Sequence, residues 1–229
     1  MKTIAKHWLI SATLLLAANG AQAQSTVYTA TSGAYTSKTD FTACVTGPCQ
    51  NYALAMSASG SFTTASPLAA NLISTDVSGS VTSFTFSDGI NTYASTNPAV
   101  RVYRFQITTN ASGAITGSDV FIELWQSGVS PHTAGDRFAF VRLIGTSIAY
   151  NNDQCTTVAA SPAGTADSCT GDTGDTSRST ASGGVVVWTR AISGTTPQAI
   201  PTLSEWGLII SSVLVGLAGF VALRRRTRD

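Results

Sequence analysis

Between residues 24 and 191, apolar side chains do not keep the three-and-four spacing of a helix for more than a turn or two. Short runs of Val, Ile, Thr, Phe and Tyr alternate instead with clusters of Gly, Asn, Asp, Ser and Pro, the pattern of strands and turns. Residues 81–86, the turn Ser87-Asp88-Gly89 and residues 90–93 read as a hairpin, because Asp-Gly tolerates the positive φ of such turns. A second hairpin runs from 99–108 through a turn at 110–113 into 114–126. In its first strand Val100 and Val102 hold one phase while Tyr103, Phe105 and Ile107 hold the other, so a bulge near Val102 and Tyr103 is expected. Early strands are expected at 27–31, 52–56 and 61–64, and late ones at 137–150 and 184–190. Roughly eight to ten strands predict an all-β domain, an antiparallel β-sandwich or flattened barrel. Residues 161–183 are polar and aperiodic and predict a long loop.

The two ends depart from this pattern. Lys2 and Lys6 precede an apolar run, and Ala21-Gln22-Ala23 follows it with small residues at the two positions a signal peptidase reads. Residues 1–23 therefore predict a secretory signal peptide cleaved before Gln24, which brings in signal peptidase and Sec-type export machinery as partners. The body is then the secreted β domain 24–191, and 192–199 is a Gly/Thr/Pro linker. Beyond it, an apolar run ends in Arg224, Arg225 and Arg226. Residues 206–223, at about 27 Å of helix, just suffice to span a hydrocarbon core. The positive-inside rule keeps the basic end 224–228 cytoplasmic and places the body outside the inner membrane.

The approach to that run carries a motif: Ile200, Pro201, Thr202, Leu203, then Trp206 and Gly207, followed by a short span and an arginine cluster. With this layout, residues 200–229 resemble the IPTL-CTERM sorting domain, a variant of the PEP-CTERM signals of Gram-negative bacteria. The resemblance implies a transient anchor that an exosortase of the IPTL-specific type, a multi-spanning membrane cysteine protease or transpeptidase, recognises at 200–207 and cuts nearby. Pro201 keeps the motif extended, the form in which proteases bind their substrates. By this resemblance 200–207 is a site acted upon, and the destination of the body is the cell surface or the extracellular space. Residues 60–89 also loosely resemble the β-rich bodies that precede such tails.

Composition narrows the partners. Only 11% of the 229 residues are charged and the formal net charge is +1, against about 25% charged in an average domain. The basic residues concentrate at the ends, leaving the body weakly acidic with Lys38 as its single lysine. Without a basic patch, nucleic acid is not an expected partner.

The four cysteines, Cys44, Cys49, Cys155 and Cys169, favour disulfides in an oxidising compartment. Three pairings are possible, of which the local ones, Cys44 with Cys49 and Cys155 with Cys169, are favoured because each flanks a turn-rich segment. Their spacings suit no zinc site, and neither a metal nor another cofactor is expected. Asp167, Asp172 and Asp175 could gather around calcium, but the EF-hand spacing is absent and solubilising acidity is favoured. His132, the body's one histidine, lies in a Ser-Pro-His-Thr turn and is expected to be exposed; no nucleophile motif accompanies it and no catalytic residue is expected.

The strand 119–125 offers the one candidate ligand face. Val120, Ile122 and Leu124 should face the core while Asp119, Phe121, Glu123 and Trp125 share the other side. Aromatic rings beside carboxylates could hold a sugar. As a glycosidase pair, Asp119 and Glu123 would be about 13 Å apart, beyond the roughly 5–9.5 Å such pairs use. The sequence therefore favours an exported, non-enzymatic surface or extracellular-matrix protein, with extracellular polysaccharide as a candidate partner. A carbohydrate- or surface-binding module or adhesin is the alternative, ahead of a secreted hydrolase.

Overall fold

β-Branched and aromatic residues at alternate positions build a sheet whose long central strands turn an apolar row inward. The computed structural model describes residues 25–193, together with residues 210, 212–217 and 224. The signal peptide 1–23, most of the linker and the motif 200–207 lie outside the described residues, as does most of the 206–223 span. Residues 210 and 212–217 are helical and exposed. Among the described residues, no helix is long and apolar enough to cross a membrane. The chain divides into two units, Met1–Ile192 and Ser193–Asp229.

The described body is antiparallel β-sheet with one short 3-10 turn. Its twelve strands are β1 (Ser25–Ser32), β2 (Ser37–Thr39), β3 (Ser59–Thr64), β4 (Thr75–Asp76), β5 (Val81–Ser87), β6 (Thr92–Ala94), β7 (Val100–Thr109), β8 (Ile115–Trp125), β9 (Arg137–Ile144), β10 (Thr146–Ala159), β11 (Ser168–Thr173) and β12 (Ser179–Ser193). They hydrogen-bond in the order β4-β7-β8-β9-β10-β12-β1-β3-β5-β6, with β11 on β10 and β2 on β12. Although β3 and β7 are far apart in that order, the Phe62 and Phe105 rings meet edge-on at 5.0 Å, and Phe86 reaches Phe105 at 6.3 Å. The two ends of the sheet therefore face each other across one core, with Tyr28, Phe62, Phe105, Ile107, Val120 and Ile122 fully buried. The long β12 lies in the middle of the order and joins the two halves, pairing β10 on one side and β1 on the other.

Both expected hairpins form, as β5 with β6 and β7 with β8. Gly89 sits at φ 95° in the first turn, a conformation that disfavours a side chain. The expected bulge is a register shift between Val102 and Arg104, which lets Val100 and Val102 face the same core as Phe105 and Ile107, while Tyr103 turns to the opposite face beside Phe121.

Several expectations fail: twelve strands form rather than eight to ten, and residues 137–150 break at Gly145 into β9 and β10. Residues 161–183, expected as a loop, contain β11 and the start of β12. Their Ser, Thr, Gly and Asp show no apolar alternation, but β11 pairs with the end of β10 and β12 with its start. Residues 52–56, expected as a strand, form a turn instead. Tyr52 is buried there by a side-chain contact with Asp88 rather than by pairing.

Candidate functional site

On β8, Val120 and Ile122 enter the main core while Phe121 and Trp125 join a second cluster on the opposite face with Phe138, Phe140, Cys155 and Cys169. The four residues of the candidate ligand face thus share a side, but that side is not open along its length. β11 and the Cys155–Cys169 disulfide cover one end of it. Trp125 is 5% exposed and Glu123 is fully buried, so neither is free to meet a sugar. Glu123 Oε2 accepts the Cys169 amide at 3.1 Å, and Oε1 has no partner. Burial pushes the Glu123 carboxyl up to about 8, against the Cys169 amide and the Arg101 charge, which favour ionisation.

At the other end, Asp119 accepts hydrogen bonds from Arg104 at 2.6 Å and from Arg142 at 2.8 and 2.9 Å. Burial opposes its charge, but the bonds from Arg142 and Arg104 outweigh it and hold the carboxyl below its usual range. The Phe121 ring continues a row across four adjacent strands. Tyr103 lies 4.5 Å from Phe121, Phe121 lies 4.7 Å from Phe140, and Phe140 lies 4.4 Å from Tyr150. Arginines stack on three of these rings: Arg104 on Tyr103 and Arg142 on Phe121, each at 5.8 Å, and Arg178 on Tyr150 at 5.0 Å. At the Tyr150 end opens a cleft of about 370 Å³, lined by Asp40, Tyr150, Asp175 and Arg178 with threonines such as Thr42 and Thr180.

His132, expected to be exposed, is buried. Its ring stacks on Trp125 at 4.2 Å and 5°, and its Nδ1 lies 2.8 Å from Asp167. Asp167 also accepts from Arg101 and Ser130. These bonds outweigh the cost of burial and hold Asp167 well below the usual carboxylate range. The acidic segment is dispersed, since Asp175 pairs with Arg137 while Asp172 lies 3.9 Å from Arg178. Among the described residues, no three His, Cys, Asp or Glu side chains are grouped to hold a metal. The cysteines pair as Cys44–Cys49 and Cys155–Cys169.

Sequence reading missed one hub altogether. Asp88 is fully buried and accepts the Tyr52 hydroxyl at 2.9 Å, the Tyr93 hydroxyl at 2.6 Å and the Asn91 side-chain amide at 3.1 Å, all on Oδ2. Its Oδ1 accepts the Ile90 and Asn91 amides at 2.8 and 2.6 Å. The only sign of it was the Asp-Gly turn. Asn91 and Tyr93 belong to the same hairpin as Asp88, but Tyr52 comes from a segment 36 residues away and joins them only in the fold.

The fold and its surface define an all-β, disulfide-bonded body. At the end of the chain, a family model described as the IPTL-CTERM motif matches residues 198–226, so the chain carries that motif. The motif points to a C-terminal sorting signal on an exported protein and implies a processing system that recognises it. No curated protein and no solved structure matches the chain.

Proposed function

We propose that this chain is an exported, non-enzymatic surface or extracellular-matrix protein whose tail is processed by an exosortase of the IPTL-specific type. The observation that carries the reading is the motif match at 198–226, at the end of a chain that opens with a signal-peptide pattern. Signal peptidase and Sec-type machinery deliver the body across the inner membrane of a Gram-negative cell. The tail helix holds it there transiently, with Arg224, Arg225 and Arg226 on the cytoplasmic side. Recognition of Ile200, Pro201, Thr202, Leu203, Trp206 and Gly207 then leads to cleavage, and the body passes to the surface or the extracellular polysaccharide. A passive role is supported by the state of the body's two most obvious acid–base groups. Glu123 is sealed under the disulfide cover, and His132 is stacked on Trp125 and bonded to Asp167.

The test is the intact mass of the protein recovered from a host with and without its exosortase. A product ending between residues 200 and 207, lost when the exosortase is deleted, is the expected result. A full-length tail in both strains overturns the reading and makes the tail a permanent anchor.

A further inference from the structure

The Arg178 guanidinium is fixed in place but has spare donors. It stacks on Tyr150 at 5.0 Å, and on Gly174 a Cβ would fall 2.1 Å from its Cζ, so the missing side chain makes the space the guanidinium occupies. Its ion pairs, 3.5 Å to Asp153 and 3.9 Å to Asp172, are longer than the usual 2.7–3.2 Å of an N–H···O bond. Among the described residues, none accepts a hydrogen bond from this guanidinium. Behind it, Asp153 is fully buried and its Oδ2 has no hydrogen-bond partner. An arginine fork with unspent donors matches a carboxylate or similar planar anion.

The rest of the cleft asks for something different. Asp40 and Asp175 are partly exposed on its lining, at 46% and 31% of their side chains, and threonine hydroxyls surround them. Asp40 is already paired with Lys38 and Asp175 with Arg137, and the remaining lone pairs of both carboxylates are open to hydrogen bonds from hydroxyls. The cleft, at about 370 Å³, is at the small end of the range for small-molecule sites. Next to it, the row from Tyr150 to Tyr103 lies across adjacent strands, bordered by the Arg104–Asp119–Arg142 trio, which carries one positive charge in excess.

We propose that the Arg178 cleft is a binding site for a sugar acid, a uronate residue of an acidic glycan. Arg178 takes the carboxylate, Asp40 and Asp175 take ring hydroxyls, and the chain of the glycan continues past Tyr150 toward the partly exposed Phe121 and Tyr103, over Phe140, which is itself buried. The site does not depend on how the tail is processed, so it stands or falls separately from the sorting reading.

The experiment is calorimetric titration of the full chain in detergent micelles with a galacturonate trisaccharide, a neutral galactose trisaccharide and acetate. The uronate is expected to bind, with the neutral sugar weaker by about tenfold or more, the scale of one lost charge-assisted contact, and acetate not detectable. Arg178→Gln should weaken uronate binding by about tenfold or more. Gly174→Ala should do the same with the far-UV circular dichroism unchanged, because the clash is with the far end of a flexible side chain, although moving Arg178 off the buried Asp153 lowers the melting temperature. Arg190→Gln, outside the site, should bind like the parent. No uronate binding, equal binding of the neutral sugar, binding of acetate alone, or unchanged affinity in both Arg178→Gln and Gly174→Ala overturns the proposal.

Discussion

Glu123→Gln makes the sharpest test of how the outer face of β8 is covered. The native carboxyl is fully buried, one of its oxygens has no partner, and it titrates near 8 rather than at its ordinary 4.5. A carboxyl raised in this way binds a proton on folding between those two values. Its contribution to stability is complete below about pH 4.5, falls as pH rises, and is gone above about pH 8. At pH 7 the gap of roughly two and a half pH units corresponds to about 3 kcal/mol lost relative to pH 4.5. Glutamine cannot ionise, so the variant loses this slope. It keeps an acceptor for the Cys169 amide but presents an amide donor where Oε1 now has no partner, at a cost of about 1–3 kcal/mol that is independent of pH. Asp153 is also raised, to about 7, and tilts both proteins in the same direction, so the difference between parent and variant isolates Glu123. Urea unfolding followed by tryptophan fluorescence at several pH values between 4.5 and 8 measures that difference. The parent-minus-variant stability should fall by about 3 kcal/mol between pH 4.5 and 7. A difference that stays flat across that range refutes the burial argument and means that Glu123 reaches water.

Two more predictions concern the frame around the sites. Asp88→Asn should cost about 1–3 kcal/mol, because an amide replaces an oxygen on which two tyrosine hydroxyls and an asparagine amide converge; thermal unfolding by circular dichroism would show the loss, and an unchanged melting temperature would contradict it. Replacing Cys155 and Cys169 together by alanine should cost about 3 kcal/mol from loop closure alone. The cost should exceed that of removing Cys44 and Cys49, because the closed loop is longer, with a sequence separation of 14 against 5, and because its cysteines are buried. Equal losses in paired urea titrations would put the cause elsewhere.

Much about this chain is local and therefore readable residue by residue. The motif from Ile200 to Gly207 is recognisable because its spacing is contiguous, and the family match at 198–226 covers the same stretch. The hairpins at Ser87-Asp88-Gly89 and at 110–113, and the bulge beside Val102, follow from turn chemistry and from the phase of apolar positions within one strand. The all-β character follows from the same alternation. What the pattern could not contain is which strand lies over which. Residues 168–173 pair as a strand though they show no apolar alternation, because backbone hydrogen bonding to β10 needs no hydrophobic side chains. That pairing, with the disulfide, decides that Glu123 and Trp125 are sealed while Asp119 and Phe121 remain at the rim of the aromatic row. His132 is buried for a similar reason, since Asp167, on a distant loop, comes to its ring nitrogen. The row from Tyr103 to Tyr150, the Asp88 hub and the Arg178 cleft each join residues from several strands or loops. Register and the folding of the sheet on itself set their distances, and both are properties of long-range pairing that no single stretch of sequence encodes.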